Sequence, residues 1–262
     1  MGDSARYIFA CWSQVAARIR GAKAVALFLD FDGTLTPFRP HPDQVLLNNG
    51  MRRAVARLGQ NPRVRVWIIS GRKHADVRNK IGVAGIRYLG LHGWETETRP
   101  GRQLSALAGS SESLFACMKA WANRVVRETP ETWLEDKGAV LTIHYARASP
   151  SNIRRVREEV VRYLEPHRSA FYVFAGERSL EMIPAEVKDK GAAVRRLWRR
   201  ARPGTLPVFI GDDAVDEPAF LALAEEGITV QVGRTAPTHA RYRVFSIAEV
   251  RVFLERLAQE VG

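Results

Sequence analysis

An apolar run that ends in a pair of aspartates constrains this chain more than any other feature of its sequence. Residues 24–29, Ala-Val-Ala-Leu-Phe-Leu, carry no polar side chain and predict a buried strand. Asp30 and Asp32 follow this strand, and Gly33 then predicts a turn. Ligands of open α/β sheets bind at the carboxyl ends of the strands, so the two carboxylates lie where a site would form.

Further apolar runs predict more strands, at residues 64–69, 87–91, 206–210 and 228–232. Ser70-Gly71-Arg72 follows the first of these, and Gly211-Asp212-Asp213 follows the third. Segments with helical periodicity, such as residues 44–58, lie between the strands, and residues 4–20 predict an amphipathic helix before them. This alternation predicts right-handed crossovers and a parallel sheet.

The pattern changes between residues 100 and 185, where a helix followed by a hairpin occurs twice. This segment predicts a four-stranded α+β layer, and the parallel pattern resumes after it. The predicted fold class is therefore α/β, a Rossmann-like parallel-sheet core with helices on both faces plus an inserted α+β cap domain. The core would comprise residues 1–99 and 186–262, and residues 100–185 would form the cap that determines substrate specificity.

Composition and charge narrow the class of partner. The chain has 262 residues, 46% of them hydrophobic, and a formal net charge of +12 that suits a nucleic acid, a membrane surface or an anionic substrate. Because the basic residues form no tail and cluster at helical spacing, a solvated helix face explains them, and we expect neither a nucleic-acid nor a membrane partner. Cys11 and Cys117 suit no metal site, and the apolar residues 7–12 are too short for a signal peptide, so a cytoplasmic location is expected.

Phosphoryl transfer is the chemistry that the acidic residues fit. A phosphate monoester repels an anionic nucleophile unless cations neutralise the phosphoryl oxygens. Asp30 and Asp212, with the backbone carbonyl of Asp32, would hold a Mg²⁺ ion. Asp213 and Asp216 would act as outer-shell support for this metal site.

Four side chains would carry the reaction. Asp30 would attack phosphorus and form an aspartyl-phosphate, while Asp32 would protonate the oxygen of the leaving group and then activate water. Ser70 would donate its hydroxyl to a phosphoryl oxygen, and Lys190 would place its ammonium group on the phosphate and on Asp30. Each of the short sequence stretches that carry these side chains is, taken alone, also typical of an ordinary loop or helix start. Their order along one predicted parallel sheet favours a shared site.

These motifs resemble those of the haloacid dehalogenase superfamily across the whole core, and finer features resemble one branch of it, the trehalose-6-phosphate phosphatases. The stretches that carry the resemblance in the core are Asp-Gly-Thr-Leu-Thr-Pro at 32–37, Gly-Leu-His-Gly-Trp-Glu at 90–95, Lys-Gly-Ala-Ala at 190–193 and the Gly-Asp-Asp motif at 211–220. In the predicted cap they are Glu-Asp-Lys at 135–137, His-Tyr at 144–145 and Leu-Glu-Met-Ile-Pro at 180–184.

The resemblance implies a Mg²⁺-dependent phosphatase that hydrolyses trehalose 6-phosphate to trehalose and phosphate in trehalose biosynthesis. It also implies that three cap residues bind sugar hydroxyls, namely Glu135, Lys137 and Glu181. Further substrate contacts are predicted at Thr34, Gly71, Arg72 and His92. Association with a trehalose-6-phosphate synthase is an additional expectation.

Two departures from the family pattern leave other hypotheses open. Ile183 stands where the family commonly has Arg, and Ala146 stands where it commonly has Arg after His-Tyr. Both departures fall in the predicted cap, so the alternative is a phosphatase for another sugar phosphate, such as sucrose-phosphate or a glycosyl-glycerate phosphate. A catalytically idle homologue that binds sugar phosphate or a synthase partner is a third hypothesis, and the presence of every expected catalytic residue argues against it.

Overall fold

A computed structural model of the chain describes residues 5–39, 42–96, 109–233 and 237–262. Two units are distinguished, unit 1 with residues 1–100 and 189–262 and unit 2 with residues 101–188. The predicted domain boundary at residues 99–100 lies outside the described residues. Among the helices of these described ranges, none is long and apolar enough to cross a membrane.

The regular elements, apart from short 3-10 turns, are as follows in chain order. The strands are β1 (Arg6–Tyr7), β2 (Ala24–Leu29), β3 (Val64–Ile69), β4 (Arg87–Gly90), β5 (Glu95–Thr96), β6 (Trp133–Asp136), β7 (Leu141–His144), β8 (Phe171–Ala175), β9 (Ser179–Pro184), β10 (Thr205–Gly211), β11 (Ile228–Val232) and β12 (Tyr242–Val244). The helices are α1 (Trp12–Gly21), α2 (Asn49–Gln60), α3 (His74–Ile81), α4 (Gly109–Arg127), α5 (Pro150–Leu164), α6 (Lys190–Arg199), α7 (Glu217–Ala222) and α8 (Ile247–Glu260).

Unit 1 is built on an eight-stranded sheet with the strand order β1-β12-β11-β10-β2-β3-β4-β5. Neighbouring strands run parallel except for the last pair, β4 and β5, which is antiparallel. The pairing of β10 with β2 joins the two segments of unit 1 near the middle of the sheet. The predicted parallel α/β core is confirmed.

Strand β2 is apolar throughout because both of its faces are buried. Val25, Leu27 and Leu29 pack in one core cluster with side chains of α1, α2 and α8. Ala26 and Phe28 pack in a second cluster with side chains of α6 and α7. Helices therefore cover both faces of the sheet, as parallel strands require, and the buried run fixes where its carboxyl end emerges.

Unit 2 contains a four-stranded antiparallel sheet with the order β6-β7-β9-β8. Its core forms on one face of this sheet, where Ile143 and Met182 cluster with Phe115 of α4 and Val156 of α5. Strands β6 and β7 form one hairpin pair, and β8 and β9 form another. The predicted α+β character of the inserted segment is confirmed.

Short edge strands and two helix starts differ from the predictions. Strands β1, β5 and β12 have only two or three residues, which is too short for a periodic pattern. The helix predicted over residues 4–20 is wrong at its start, because β1 pairs with β12 and α1 begins only at Trp12. The helix predicted from residue 44 begins at Asn49, because the Asn48 side chain caps it by accepting a hydrogen bond from the backbone nitrogen of Met51.

Gly90 at the end of β4 has no room for a side chain. A Cβ atom there would lie 2.2 Å from the backbone nitrogen of His74 and 2.8 Å from the carbonyl oxygen of Arg72. Because these are backbone atoms, relief would require movement of the chain. We therefore expect Gly90→Ala to lower the free energy of unfolding by about 1–3 kcal/mol, measured by urea denaturation.

Gly21→Ala is the matched control for this measurement, since nothing lies within 4 Å of its Cβ position. Its free energy of unfolding should stay within about 1 kcal/mol of the wild-type value. Unfolding of both variants at the same urea concentration would contradict the close approach between β4 and residues 72–74.

Candidate active site

The carboxyl ends of three neighbouring strands bring the predicted catalytic residues to one edge of the unit 1 sheet. Asp30 follows β2, Ser70 follows β3, and Asp212 follows β10. Lys190 is the first residue of α6, and its side chain meets Asp30 at this edge. The structure thus brings together residues that are up to 182 positions apart, from Asp30 to Asp212.

A buried ammonium group joins two carboxylates here. Lys190 Nζ donates to Asp30 Oδ1 at 2.6 Å and to Asp216 Oδ1 at 2.7 Å, and Lys190 is only 1% exposed. Burial acts to lower the pKa of Lys190, but the charges of Asp216 and Asp30 outweigh it and hold this pKa above its usual value. The lysine therefore stays charged inside the protein.

The sequence beside Lys190 explains how helix α6 reaches this position. The Asp189 side chain caps α6 by accepting a hydrogen bond from the backbone nitrogen of Ala192 at 2.7 Å. A Cβ atom on Gly191 would lie 2.3 Å from the carbonyl oxygen of Pro218 in α7. Glycine after the lysine therefore allows α6 and α7 to pack closely, so the Lys-Gly pair serves packing as well as charge.

Asp216 is central to this hydrogen-bond network, and its predicted outer-shell role at a metal stays a prediction. It is fully buried, and while Oδ1 binds Lys190, Oδ2 accepts hydrogen bonds from the backbone nitrogens of Asp212 at 2.9 Å and Asp213 at 3.2 Å. The Asp213 side chain in turn accepts a hydrogen bond from the backbone nitrogen of Ala214. One carboxylate thus orients both the lysine and the loop that carries Asp212.

Three buried carboxylates lie close together at this edge. One oxygen each from Asp30, Asp212 and Asp216 lies within 4.8 Å of the other two. Burial raises the pKa of Asp30 to about 7, with repulsion from Asp216 and Asp32 adding to it and Lys190 opposing it. Burial and the charges of Asp30 and Asp216 likewise raise the pKa of Asp212. Such a cluster of oxygen donors is compatible with a metal ion, whose charge would relieve the repulsion.

Asp32 is held by an arginine. Arg72 Nε donates to Asp32 Oδ2 at 2.6 Å and Arg72 Nη2 donates to Asp32 Oδ1 at 2.8 Å, which makes a bidentate pair. The remaining donor, Nη1, binds Asp76 Oδ2 at 2.7 Å. Burial acts to lower the pKa of Arg72, but the two carboxylates hold it above its usual value. The sequence identified both residues but did not reveal this pairing, and substrate contact by Arg72 stays a prediction.

The loop after β3 is fixed by backbone hydrogen bonds. Ser70 is 1% exposed, and its Oγ accepts a hydrogen bond from the backbone nitrogen of Arg72 at 3.1 Å, across Gly71. His92 is buried in a left-handed conformation, and its backbone nitrogen donates to the carbonyl oxygen of Ser70 at 2.9 Å. Glu95 Oε2 accepts a hydrogen bond from the backbone nitrogen of His74 at 2.7 Å. Residues 90–95 thus support this loop, a structural role that the motif alone did not reveal.

Thr34 is another predicted contact residue with a partner inside the protein. It is fully buried, and its Oγ1 donates to Asp212 Oδ1 at 2.9 Å. The hydroxyl thereby orients the carboxylate of Asp212. The predicted substrate contacts of Thr34, Gly71 and His92 stay predictions.

The three predicted sugar-binding residues of unit 2 lie in one cluster on its sheet. Lys137 Nζ donates to Glu181 Oε1 at 2.7 Å and lies 4.0 Å from Glu135 Oε2. The ring nitrogen Nε2 of His144 lies 2.8 Å from Glu135 Oε2. Burial acts to raise the pKa of Glu135, but His144 and Lys137 outweigh it and lower this pKa below its usual value. The cluster thus presents charged hydrogen-bonding groups of both signs.

Comparison with known proteins identifies the family. Residues 28–247 match the family described as trehalose-phosphatase. The chain is 29% identical to the probable trehalose-phosphate phosphatase 4 of Oryza sativa subsp. japonica, over 95% of this chain and 69% of that protein. It is 30% identical to the trehalose-phosphate phosphatase of Mycobacterium tuberculosis, over 92% of this chain and 63% of that protein.

A solved structure has a similar fold. The C-terminal domain of Candida albicans trehalose-6-phosphate phosphatase superposes with a TM-score of 0.84 and 22% sequence identity, covering 98% of this chain and 99% of that chain. The fold is therefore shared along nearly the whole length. Since the family match extends over most of the chain and includes Asp30, Lys190 and Asp212, this chain belongs to the trehalose-phosphatase family.

Proposed function

We propose that this chain is a Mg²⁺-dependent phosphatase that hydrolyses trehalose 6-phosphate to trehalose and phosphate, as a step of trehalose biosynthesis. The observation that carries the proposal is the buried Lys190–Asp30 pair, 2.6 Å apart, beside Asp212 in a member of the trehalose-phosphatase family. The names of the rice and mycobacterial relatives support the substrate. The predicted cytoplasmic location and the predicted association with a synthase stay predictions.

The donor set suits Mg²⁺, which prefers oxygen ligands and takes few protein carboxylates. Asp30 and Asp212 would hold the ion together with the backbone carbonyl of Asp32. Both oxygens of Asp216 already bind Lys190 and backbone nitrogens, which supports an outer-shell role for Asp216 and its neighbour Asp213. Bound there, the ion would supply positive charge that neutralises the phosphoryl oxygens of the substrate.

Asp30 is the nucleophile in this proposal. One of its carboxylate oxygens attacks phosphorus, and the bond between phosphorus and the sugar oxygen breaks as the aspartyl-phosphate forms. Lys190 holds Asp30 Oδ1 in place and provides positive charge beside the incoming phosphate. Ser70 lies at the same sheet edge and would donate its hydroxyl to a phosphoryl oxygen.

Asp32 moves the protons. As a general acid it gives a proton to the departing sugar oxygen, and it then takes a proton from the water that attacks the aspartyl-phosphate. The second step releases phosphate and restores the carboxylate of Asp30. Arg72 binds both oxygens of Asp32, and Asp76 binds Arg72, so this pair holds Asp32 as the carboxylate that takes the proton from water. The acid step requires Asp32 to carry a proton on one oxygen, and that oxygen must give up its hydrogen bond from Arg72.

Unit 2 would supply the sugar contacts through Glu135, Lys137 and Glu181. Carboxylates and ammonium groups form charge-assisted hydrogen bonds with hydroxyl groups, which suits a disaccharide. A second candidate is a phosphatase for another sugar phosphate. It is favoured by Ile183, which pairs with Tyr172 on the same face of the sheet as Glu181 and brings no charge where the family commonly has Arg.

A panel of sugar phosphates tests the proposed reaction. Phosphate release should be selective for trehalose 6-phosphate over sucrose, glucose and glycosyl-glycerate phosphates, should stop when EDTA removes the metal, and should return with Mg²⁺. Preferred turnover of another sugar phosphate would support the proposed reaction but assign a different substrate. No release from any phosphate ester by folded, Mg²⁺-loaded protein would refute the proposal.

Replacement of the nucleophile tests the chemistry. Asp30→Asn should reduce phosphate release by at least about 10⁴-fold, because an amide oxygen does not form the acyl phosphate. Asp43→Asn makes the same chemical change at an exposed aspartate and should leave the rate unchanged. Mass spectrometry should detect the phosphorylated form of the wild type and not of Asp30→Asn. An active Asp30→Asn enzyme would exclude the covalent route.

Arg72 variants distinguish positioning of Asp32 from direct binding of substrate. If Arg72 orients the acid, Arg72→Gln should lower kcat by about 10²-fold with little change in KM. Arg72→Lys keeps the charge but loses the bidentate geometry, so it should recover only part of the rate. A rise in KM with unchanged kcat would instead favour the contact with substrate that the sequence predicted.

A further inference from the structure

The sheet of unit 2 has one apolar face and one face that carries polar and aromatic side chains. Leu134, Ile143 and Leu180 alternate with the polar residues and belong to the core on the side of α4 and α5 or pack against it. Residues directly opposite one another in paired strands share a face. By this register, the other face carries Trp133, Glu135, Thr142, His144 and Glu181.

Trp133 occupies the β6 edge of this second face. It is paired with His144 in the register, and the two rings stack with centroids 3.9 Å apart and an angle of 10° between their planes. Imidazole covers one side of the indole, yet Trp133 remains 37% exposed. Within the described residues, Trp133 is neither in the core cluster of unit 2 nor among the hydrophobic side chains packed against it.

The neighbours of Trp133 are hydrogen-bonding groups. His144, whose ring stacks on the indole, binds Glu135, and Glu135 lies 4.0 Å from Lys137, which binds Glu181. A pyranose ring combines a rim of hydroxyl groups with a flat face of C–H bonds, which is apolar and weakly positive. The negative face of an aromatic ring attracts such a surface, and nearby polar groups fix its orientation.

We propose that the indole of Trp133 stacks against a pyranose ring of the substrate, while the charged groups beside it bind the hydroxyls. The inference rests on the proposed function and adds a specificity-determining residue to it. Trp133 lies outside the Glu-Asp-Lys stretch at residues 135–137 and outside the other motif stretches of this chain named above. The ligand class is a sugar with an exposed C–H face, and the phosphate plays no part in this contact.

Kinetics with and without a sugar test the contact. Trp133→Leu keeps an apolar side chain but removes the aromatic face, and it should raise KM for trehalose 6-phosphate about five- to tenfold with kcat changed less than about twofold. Trp133→Phe keeps a flat ring and should recover most of this loss. Both variants should hydrolyse p-nitrophenyl phosphate, which has no sugar, at the wild-type rate.

Phe245→Leu is the matched control. Phe245 is an exposed aromatic of unit 1 that stacks on Tyr7, and its replacement should leave KM for both substrates unchanged. A wild-type KM in Trp133→Leu would overturn the proposal. So would an equal loss of activity toward p-nitrophenyl phosphate, since that result would assign Trp133 a role in folding.

Fluorescence separates direct stacking from an indirect role through His144. Trehalose should change the tryptophan emission of the wild type in a saturable way, and the change should be absent from Trp133→Phe, although calorimetry still detects trehalose binding to that variant. If Trp133→Phe retains the emission change, the indole does not contact the sugar and the proposal fails.

A failure of the proposed function can be distinguished from a failure of the stacking proposal. If the wild type prefers another sugar phosphate, the same comparison of Leu and Phe at position 133 is made with that compound and its parent sugar, and a selective rise in KM for Leu still supports stacking. If the wild type hydrolyses p-nitrophenyl phosphate but calorimetry detects no binding of any sugar or sugar phosphate, the stacking proposal is overturned.

Discussion

The buried ion pair between Lys190 and its two aspartates is the interaction on which the candidate site depends. Three carboxylates with oxygens within 4.8 Å of one another repel strongly when water is excluded, and Lys190 supplies the positive charge inside the protein that opposes this repulsion. Removing one member of such a buried pair typically costs about 3–5 kcal/mol, because the partner charge is left uncompensated. Lys190 therefore ties the fold of unit 1 to the charge balance of the candidate site.

Several residues of the motif stretches hold loops of unit 1 in place through hydrogen bonds outside the carboxylate cluster. Glu95 accepts a hydrogen bond from the backbone nitrogen of His74, and Glu217 accepts hydrogen bonds from Thr238 and from the backbone of His239. Each carboxylate ties together two separate stretches of unit 1. The motif stretches of this chain thus combine residues of the carboxylate cluster with residues that hold loops in place, and the hydrogen bonds distinguish the two groups where sequence spacing cannot.

The sequence was sufficient for the parts of the fold that long apolar runs determine. The strands that carry Asp30, Ser70 and Asp212 are buried on both faces, so their positions and the shared edge were predictable. Edge strands of two or three residues are too short to show a hydrophobic alternation, so the sequence did not predict them. The pairing of Arg72 with Asp32 depends on loop geometry across forty positions of sequence, which no local pattern encodes. The stacking of Trp133 on His144 was not predicted, because it depends on the register between β6 and β7.

The central pairing of β2 with β10 has a consequence for how the chain is synthesised. The described residues of unit 2 form their own hydrophobic core from side chains of that segment, so this core needs no residue that the ribosome adds later. Unit 1 must wait, because β2 has β3 beside it but lacks β10, its other parallel neighbour, and Asp30 lacks Lys190, 160 positions further along. The acidic edge is therefore assembled only after Lys190 and Asp212 have been synthesised, and a chain released before them would carry the antiparallel sheet of unit 2 without the carboxylate cluster.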